Sequence, residues 1–194
     1  MLPEPIAVTL QVVDILDRLG VPYVIGGSLA SSLYGVVRTT LDADLVADLR
    51  SHHAEPLVAA LRGAFYVDAQ AVGDAITHRS SFNAIHLETI FKVDVFIPKR
   101  RPFDQAQLDR RILQVIATDP ERTAYMASAE DTILAKLDWY RQGGRVSERQ
   151  WRDVLGVLRV QGDSLDRDYL RRQAATLGVA DLLEQSLAQT AQGA

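Results

Sequence analysis

The sequence contains no cysteine, which excludes disulfide bridges and any zinc site built on thiolate ligands. It also contains no apolar run close to the roughly 20 residues that a membrane-spanning helix needs. Its N-terminus lacks a basic stretch followed by an apolar one, which is the pattern of a secretory signal. We therefore expect a cytoplasmic protein that makes no membrane contact.

Positive charge is not in excess, since 21 lysines and arginines stand against 25 acidic residues, for a formal net charge of -4. This balance disfavours a broad electrostatic grip on nucleic acid and leaves room only for a small basic patch. With 47% hydrophobic and 24% charged residues in a length of 194, the chain has the composition of an ordinary globular protein. Its length suffices for one or two packed domains.

Hydrophobic periodicity predicts alternating helices and strands in the first half of the chain. Apolar residues at helical spacing indicate a helix from about Ile6 to Leu19. The strand-like runs that follow are Val21–Ile25, Ala43–Ala47, Ser81–Leu87 and Ile90–Ile97. The last two runs are separated by two residues and are predicted to form a hairpin.

The character of the sequence changes after Pro98, and this change predicts a domain boundary. Residues 99–102 are basic and turn-forming, and the chain beyond them is interpreted almost entirely as helix, including one that starts at Ser128 with a hydroxyl cap. The prediction is an α+β fold with an α/β core in residues 1–101. A helical C-terminal domain in residues 102–194 is expected to pack on that core.

Three aspartates form a candidate metal site. Asp42 and Asp44 are separated by one residue on a predicted strand, so their side chains point to the same face. Asp94 belongs to a later predicted strand, where it shares one face with Lys92 and Phe96. Carboxylate oxygens are the ligands that magnesium prefers, and three aspartates in a chain without cysteine fit that metal.

A glycine turn precedes this pair of acids. Gly26 and Gly27 follow a predicted buried strand, and glycine allows a sharp turn with close approach of the backbone to a ligand. Ser28 is predicted to open a short helix, whose free N–H groups attract phosphate oxygens. The order of strand, glycine turn and helix therefore predicts a phosphate-binding segment.

Each of these signals has a structural explanation when it is taken alone. A Gly-Gly-Ser sequence is a common turn, and an Asp-x-Asp sequence is often a solvated strand end. Their ordered combination, with Asp94 on a later strand, favours a functional site. His86 is interpreted as a half-buried histidine with a satisfied ring rather than as a pocket residue.

Two cationic side chains and one further acid have open roles. Arg38 either pairs with Asp42 or Asp44 or binds a phosphate oxygen. Lys136 lies at the border of the apolar stripe of its predicted helix, where a lysine often extends its ammonium to water, or else it reaches a ligand. Asp153 is expected to be a solvated partner in an ion pair.

Taken in order, these motifs resemble the nucleotidyltransferase superfamily of the polymerase-β type. The stretch from Gly26 to Leu45 is more closely similar to the Abi-type toxin nucleotidyltransferases and their uncharacterised bacterial relatives, in which an Arg-x-Thr/Ser-x-Asp-x-Asp signature recurs. Lys92-x-Asp94, Lys136 and Arg152-Asp153 resemble later motifs of the same group. The resemblance covers most of the chain.

The resemblance implies a mixed β-sheet core flanked by helices, followed by a helical half. It implies that Asp42 and Asp44 hold Mg²⁺, with two ions expected, and that Asp94 completes the site or receives the proton of the acceptor. The residues that it assigns to the nucleotide are Gly26, Gly27, Ser28, Arg38 and Lys136.

The implied reaction is magnesium-dependent transfer of a nucleoside monophosphate from a nucleoside triphosphate to an acceptor hydroxyl, with release of pyrophosphate. The acceptor is the 3′ end of a tRNA or a protein side chain, within a toxin–antitoxin pair whose other member is a partner protein. A small-molecule acceptor is an alternative. A different class of function is a catalytically silent module that binds a nucleotide or a protein.

Overall fold

The structure is a computed structural model that describes residues 3–192. A seven-stranded sheet has the order β3-β4-β5-β2-β1-β7-β6. The β1–β7 and β2–β5 pairs are parallel and the other pairs are antiparallel, so the sheet is mixed. The strands are β1 Tyr23–Ile25, β2 Asp42–Ala47, β3 Phe65–Tyr66, β4 Ser81–His86, β5 Lys92–Phe96, β6 Ile112–Thr118 and β7 Glu121–Met126.

Within residues 3–192 the helices are all of ordinary globular length, and none combines the length and apolar character needed to cross a membrane. Together with the mixed sheet they confirm the α+β prediction. The helices are α1 Glu4–Arg18, α2 Gly27–Tyr34, α3 Ala54–Leu61, α4 Ala69–His78, α5 Pro102–Asp109, α6 Ala129–Gln142, α7 Glu148–Gln161, α8 Arg167–Leu177 and α9 Ala180–Gln192.

The chain forms two compact units. The first unit contains the described part of Met1–Gly26 together with Thr40–Met126, and it includes the whole sheet. The second contains Gly27–Thr39 and the described part of Ala127–Ala194, and it includes α2 with α6 to α9. The units therefore divide after Gly26, Thr39 and Met126, and not at the expected position after residue 101.

The helical interpretation of the region after Pro98 is wrong for β6 and β7, which are an antiparallel pair at one edge of the sheet. Residues Ile112–Thr118 are rich in β-branched side chains, which suit a pleated surface better than a helix. The Asp119-Pro120 sequence between the strands is a turn signal. The sheet therefore receives its last two strands from the region expected to be helical.

The predicted hairpin is confirmed, since β4 and β5 are antiparallel neighbours. Side chains in β2 and β5 alternate strictly between buried and half-buried positions. Apolar side chains such as Leu45, Val93 and Val95 lie on the buried face and form part of the core. The opposite face of these two strands carries polar side chains in its first two rows.

The helix that starts beside Ser128 is confirmed as α6, and its cap has the expected chemistry. The Ser128 hydroxyl oxygen accepts a hydrogen bond from the Asp131 backbone N–H at 3.1 Å. This bond satisfies one of the N–H groups that a helix start leaves without an intrahelical partner. The Leu134 and Leu137 side chains of α6 are fully buried in the second unit.

Candidate functional site

Three aspartates share one face of the sheet in the first unit. On β2, Asp42 and Asp44 alternate with the buried Ala43 and Leu45. On the neighbouring parallel strand β5, Asp94 lies directly opposite Asp44. Because neighbouring strands are about 4.8 Å apart, two carboxylates are brought side by side there.

A lysine belongs to the same face. Lys92 lies opposite Asp42 in the β2–β5 register, and its Nζ is 2.7 Å from Asp94 Oδ2. The hydrogen bond to Asp94 raises the pKa of Lys92 against the opposing effect of burial, and the charges of Asp94, Asp42 and Asp44 add to the rise. The three carboxylates thus act together on one ammonium group.

These residues have the donor chemistry for magnesium, although their placement gives no complete cage. Among residues 3–192, no group of three or more histidine, aspartate or glutamate side chains is arranged so that it could hold a metal ion by itself. Mg²⁺ is usually held by one or two carboxylates, and waters and substrate phosphates complete its coordination. Asp42 and Asp44 therefore fit a site that a polyphosphate completes.

Two neighbours of these acids, Thr40 and Asn83, were given no role in the sequence analysis, although Thr40 belongs to the signature noted there. Thr40 is buried, and its Oγ1 lies 3.0 Å from Asp42 Oδ1 and 2.9 Å from the Asp42 carbonyl oxygen, so its hydroxyl orients that residue. Asn83 on β4 lies opposite Asp94. Its position follows once the hairpin register is known, because paired residues on neighbouring strands share a face.

His86 lies on the other face of the sheet, where its ring is satisfied as interpreted, although the residue is buried and not half-buried. It is buried, its Nδ1 is 3.0 Å from Thr89 Oγ1, and its ring stacks edge-on against Phe65 at 5.2 Å. His86 therefore takes no part in the acidic face.

The glycine turn follows β1. The Gly26 N–H donates a hydrogen bond to the Asp44 carbonyl oxygen at 2.9 Å, which attaches the end of β1 to the strand that carries the acids. Gly27 begins α2 with a φ of 53°, in the left-handed region that favours glycine. The predicted strand, turn and helix order is confirmed, while phosphate binding by the turn stays a prediction.

Arg38 is a cation of the second unit that is held by hydrogen bonds. Its Nε and Nη2 donate to the two carboxylate oxygens of Asp153 at 3.1 and 3.0 Å, which is the bidentate geometry of a strong ion pair. Nη2 also donates to the hydroxyl oxygen of Ser28, which is a buried residue. Arg38 is thus held between a helix start and a carboxylate on α7.

The expectation of a solvated Asp153 is wrong, since its side chain is only 10% exposed. Lys136 Nζ lies 2.8 Å from Asp153 Oδ2 and 3.1 Å from Gln150 Oε1, and the lysine side chain is 5% exposed. Burial alone would raise the pKa of Asp153, but the hydrogen bonds from Arg38 and Lys136 hold it below its ordinary value. Lys136 therefore does not extend its ammonium to water.

Gly35, between Ser28 and Arg38 in the sequence, permits a close contact between α2 and α7. A Cβ atom at Gly35 would lie 2.9 Å from the Ser31 carbonyl oxygen and 2.9 Å from the Val157 backbone nitrogen. Backbone atoms cannot give way cheaply, so only glycine fits. The close contact places the segment that carries Arg38 beside the helix that carries Asp153.

Comparison with solved structures identifies the same fold in nucleotidyltransferases. The chain is similar to a solution structure of the antibiotic-resistance factor ANT(2'')-Ia, with 14% identity over 97% of each chain and a TM-score of 0.57. ANT(2'')-Ia in complex with adenylyl-2''-tobramycin gives 15% identity over 89% of this chain and 95% of that chain, with a TM-score of 0.59.

An antigenic nucleotidyltransferase-like protein from Paracoccidioides brasiliensis gives 20% identity over 93% of this chain and 91% of that chain, with a TM-score of 0.53. No family model and no curated protein matches the chain. At these identities the likeness establishes the fold, and the Abi-type branch stays a prediction. The chain has the nucleotidyltransferase fold.

Proposed function

We propose that this protein is a magnesium-dependent nucleotidyltransferase that transfers a nucleoside monophosphate from a triphosphate to an acceptor hydroxyl. The observation that carries the proposal is the register of β2 and β5, which sets Asp44 beside Asp94 with Asp42 on the same face. A bound Mg²⁺ would neutralise triphosphate charge and stabilise the charge that develops on the transferred phosphoryl group.

The proposal assigns a role to each of the three aspartates of the acidic face. Asp42 and Asp44 would hold the metal, and the Thr40 hydroxyl orients Asp42. Asp94 receives the proton of the acceptor hydroxyl as its oxygen forms a bond to the α-phosphorus. The bond between that phosphorus and the pyrophosphate oxygen breaks, and pyrophosphate leaves with the electron pair.

Arg38 is proposed to bind a phosphate oxygen of the nucleotide. The Arg38 side chain is 24% exposed, whereas the Lys136 side chain is only 5% exposed. Asp153 fixes the guanidinium plane, and Lys136 balances the charge of Asp153. Asp153 and Lys136 are therefore assigned as positioning residues that act through Arg38.

The proposed acceptor is the 3′ end of a tRNA or a protein side chain, within a toxin–antitoxin pair, and this finer assignment rests on the Abi-type resemblance alone. A small-molecule hydroxyl is a second candidate. It is supported by the likeness to ANT(2'')-Ia, whose complex contains adenylyl-2''-tobramycin, over most of both chains. The acidic net charge of -4 also favours a small acceptor over a large RNA footprint.

Labelled nucleoside triphosphates test the proposal. The protein is incubated with each α-labelled triphosphate and Mg²⁺, in the presence of cell lysate, purified tRNA or an aminoglycoside mixture. We expect the label to appear on one class of acceptor. This labelling should disappear when Mg²⁺ is chelated and in the Asp44→Asn variant.

Asp48→Asn is the matched control for this experiment. Asp48 follows β2 and pairs with Arg50 at 2.6 Å, outside the group of three acids. Labelling by Asp48→Asn should equal that of the wild type. Labelling that survives in Asp44→Asn would refute the proposal, and triphosphate binding without any labelled product would favour the silent module.

A further inference from the structure

Lys92 is the one cation that the β2–β5 register places among the three acids within residues 3–192. It shares a face with Asp42, Asp44 and Asp94, and its Nζ forms an ion pair with Asp94 Oδ2 at 2.7 Å. Three carboxylates on one face repel one another, and an ammonium group between them lowers that repulsion. Lys92 therefore compensates part of the charge that a metal ion would compensate.

The ion pair reaches solvent on the side of its lysine. The Lys92 side chain is 39% exposed and that of Asp94 is 13% exposed. Pairs that reach solvent in this way contribute little to stability. The lysine has a flexible four-carbon stem, so its ammonium can leave Asp94 without rearrangement of the sheet.

A divalent cation carries twice the charge of the ammonium. The carboxylates of the acidic face also offer it the oxygen ligands that it prefers. It would meet Lys92 beside the same three carboxylates, and the positive charges of the metal and the ammonium repel each other when both lie close to Asp94. Binding of the metal is then coupled to departure of the Lys92 ammonium from Asp94.

We propose that Lys92 is a built-in counter-cation of the acidic face, which a divalent cation must displace from Asp94 before the metal site forms. This inference rests on the proposed function, because it assumes that Asp42 and Asp44 hold a metal.

The exchange has two consequences for the protein. Metal affinity without nucleotide is kept low, because the metal must compete with a tethered cation. The exchange also frees Asp94, the carboxylate proposed to receive the acceptor proton, only when the metal is in place. The displaced ammonium becomes available to a triphosphate oxygen.

Direct titration with Mn²⁺ tests the exchange without any measurement of activity. Mn²⁺ shares the oxygen ligands of magnesium, and its unbound fraction is measured by electron paramagnetic resonance. We expect Lys92→Met to bind Mn²⁺ at least tenfold more tightly than the wild type in the absence of nucleotide. Lys92→Arg keeps a cation at the position and should bind Mn²⁺ as weakly as the wild type does.

Lys99→Met is the matched control, because it removes the same charge from an exposed position just beyond β5, and its affinity for Mn²⁺ should be unchanged. Far-ultraviolet circular dichroism verifies that each variant is folded. Unchanged or weaker Mn²⁺ binding by folded Lys92→Met would overturn the inference.

The two proposals fail in different ways. If Lys92→Met has no effect while Asp44→Asn still abolishes Mg²⁺-dependent labelling, the exchange is wrong and the proposed function stands. If neither the wild type nor Lys92→Met binds Mn²⁺, with or without a triphosphate, the metal site itself is wrong and both proposals fall.

Discussion

Lys136 and Asp153 form a buried ion pair, with the ammonium nitrogen 2.8 Å from the carboxylate oxygen and with side chains that are 5% and 10% exposed. The pair joins α6 to α7, and the same carboxylate receives two hydrogen bonds from Arg38. A buried pair of this kind adds little stability compared with an apolar replacement of both partners. Loss of one partner is costly, because the buried charge that remains loses part of its compensation.

Substitution of Lys136 by methionine should therefore destabilise the protein. Lys136→Met leaves Asp153 with a single cationic partner, and we expect the free energy of unfolding to fall by about 2 kcal/mol. Urea denaturation followed by circular dichroism measures the change. Lys99→Met, at an exposed position, should change stability by less than about 0.5 kcal/mol, and an equal loss in both variants would contradict the prediction.

The lowered pKa of Asp153 predicts a pH dependence of stability. The unfolded chain binds a proton at Asp153 at a higher pH than the folded protein does, since hydrogen bonds from Arg38 and Lys136 hold the folded pKa below the ordinary 3.8. This contribution is complete above the ordinary pKa and is lost as the pH falls through the folded pKa.

Between about pH 5 and pH 2, the free energy of unfolding of the wild type should therefore fall more steeply than that of Asp153→Asn. Urea unfolding at stepped pH measures both slopes. If the free energies of unfolding of the wild type and of Asp153→Asn fell equally steeply with pH, Asp153 would not be held in its charged form.

Substitution of Arg38 by lysine separates the effect of the positive charge from the effect of the planar guanidinium group. Arg38→Lys keeps the positive charge but loses the planar fork that binds both oxygens of Asp153. We expect the apparent KM for the triphosphate to rise about tenfold, which corresponds to about 1.4 kcal/mol. Steady-state kinetics on the acceptor found in the labelling experiment measure this, and an unchanged KM would remove Arg38 from the nucleotide site.

The Thr40 hydroxyl is expected to support metal binding. Thr40→Val removes the donor 3.0 Å from Asp42 Oδ1 while it retains the shape of the side chain. We expect Mn²⁺ binding in the presence of triphosphate to weaken about tenfold, and Thr40→Ser to restore most of it. Thr39→Val changes the exposed neighbour and should leave the affinity unchanged.

The close approach of α2 and α7 predicts a loss of stability on addition of a single methyl group. In Gly35→Ala the new Cβ would lie within 3.0 Å of backbone atoms on both helices, and we expect a loss of about 1 to 3 kcal/mol.

Gly73 is the matched control, because a Cβ there meets nothing within 4 Å and the residue lies inside α4. Gly73→Ala should therefore stabilise the protein by about 0.5 to 1 kcal/mol. Thermal unfolding compares the two variants, and a stabilised Gly35→Ala would contradict the packing described.

The faces of β2 and β5 could be predicted because strand periodicity is local. Alternation with period two decides which side chains share a face, whatever lies next to the strand. It therefore grouped Asp42 with Asp44 and Lys92 with Asp94, as the structure has them. The parallel pairing that sets Asp44 opposite Asp94 depends on contacts far apart in the chain and could only be expected from the resemblance.

The strands β6 and β7 were missed for a related reason. A short β-branched run is only a weak local signal for a strand. The helices α5 and α6 lie on either side of the two strands, so a helical interpretation of the whole region was consistent with its neighbours. Pairing with the rest of the sheet determines the strand conformation, since Ile25 of β1 pairs in parallel with Met126 of β7. Tertiary pairing overrides local propensity at such positions.

The sequence by itself determined the glycine turn, the hairpin and the polar faces of β2 and β5, because short-range sterics and periodicity fix these features. Only the tertiary structure decided that Arg38 and Asp153 meet across 115 positions of sequence and that Lys136 lies enclosed beside them. No local pattern encodes such a meeting, because packing of α2 and α6 against α7 brings the three charges together. Burial then makes each of them depend on the other two.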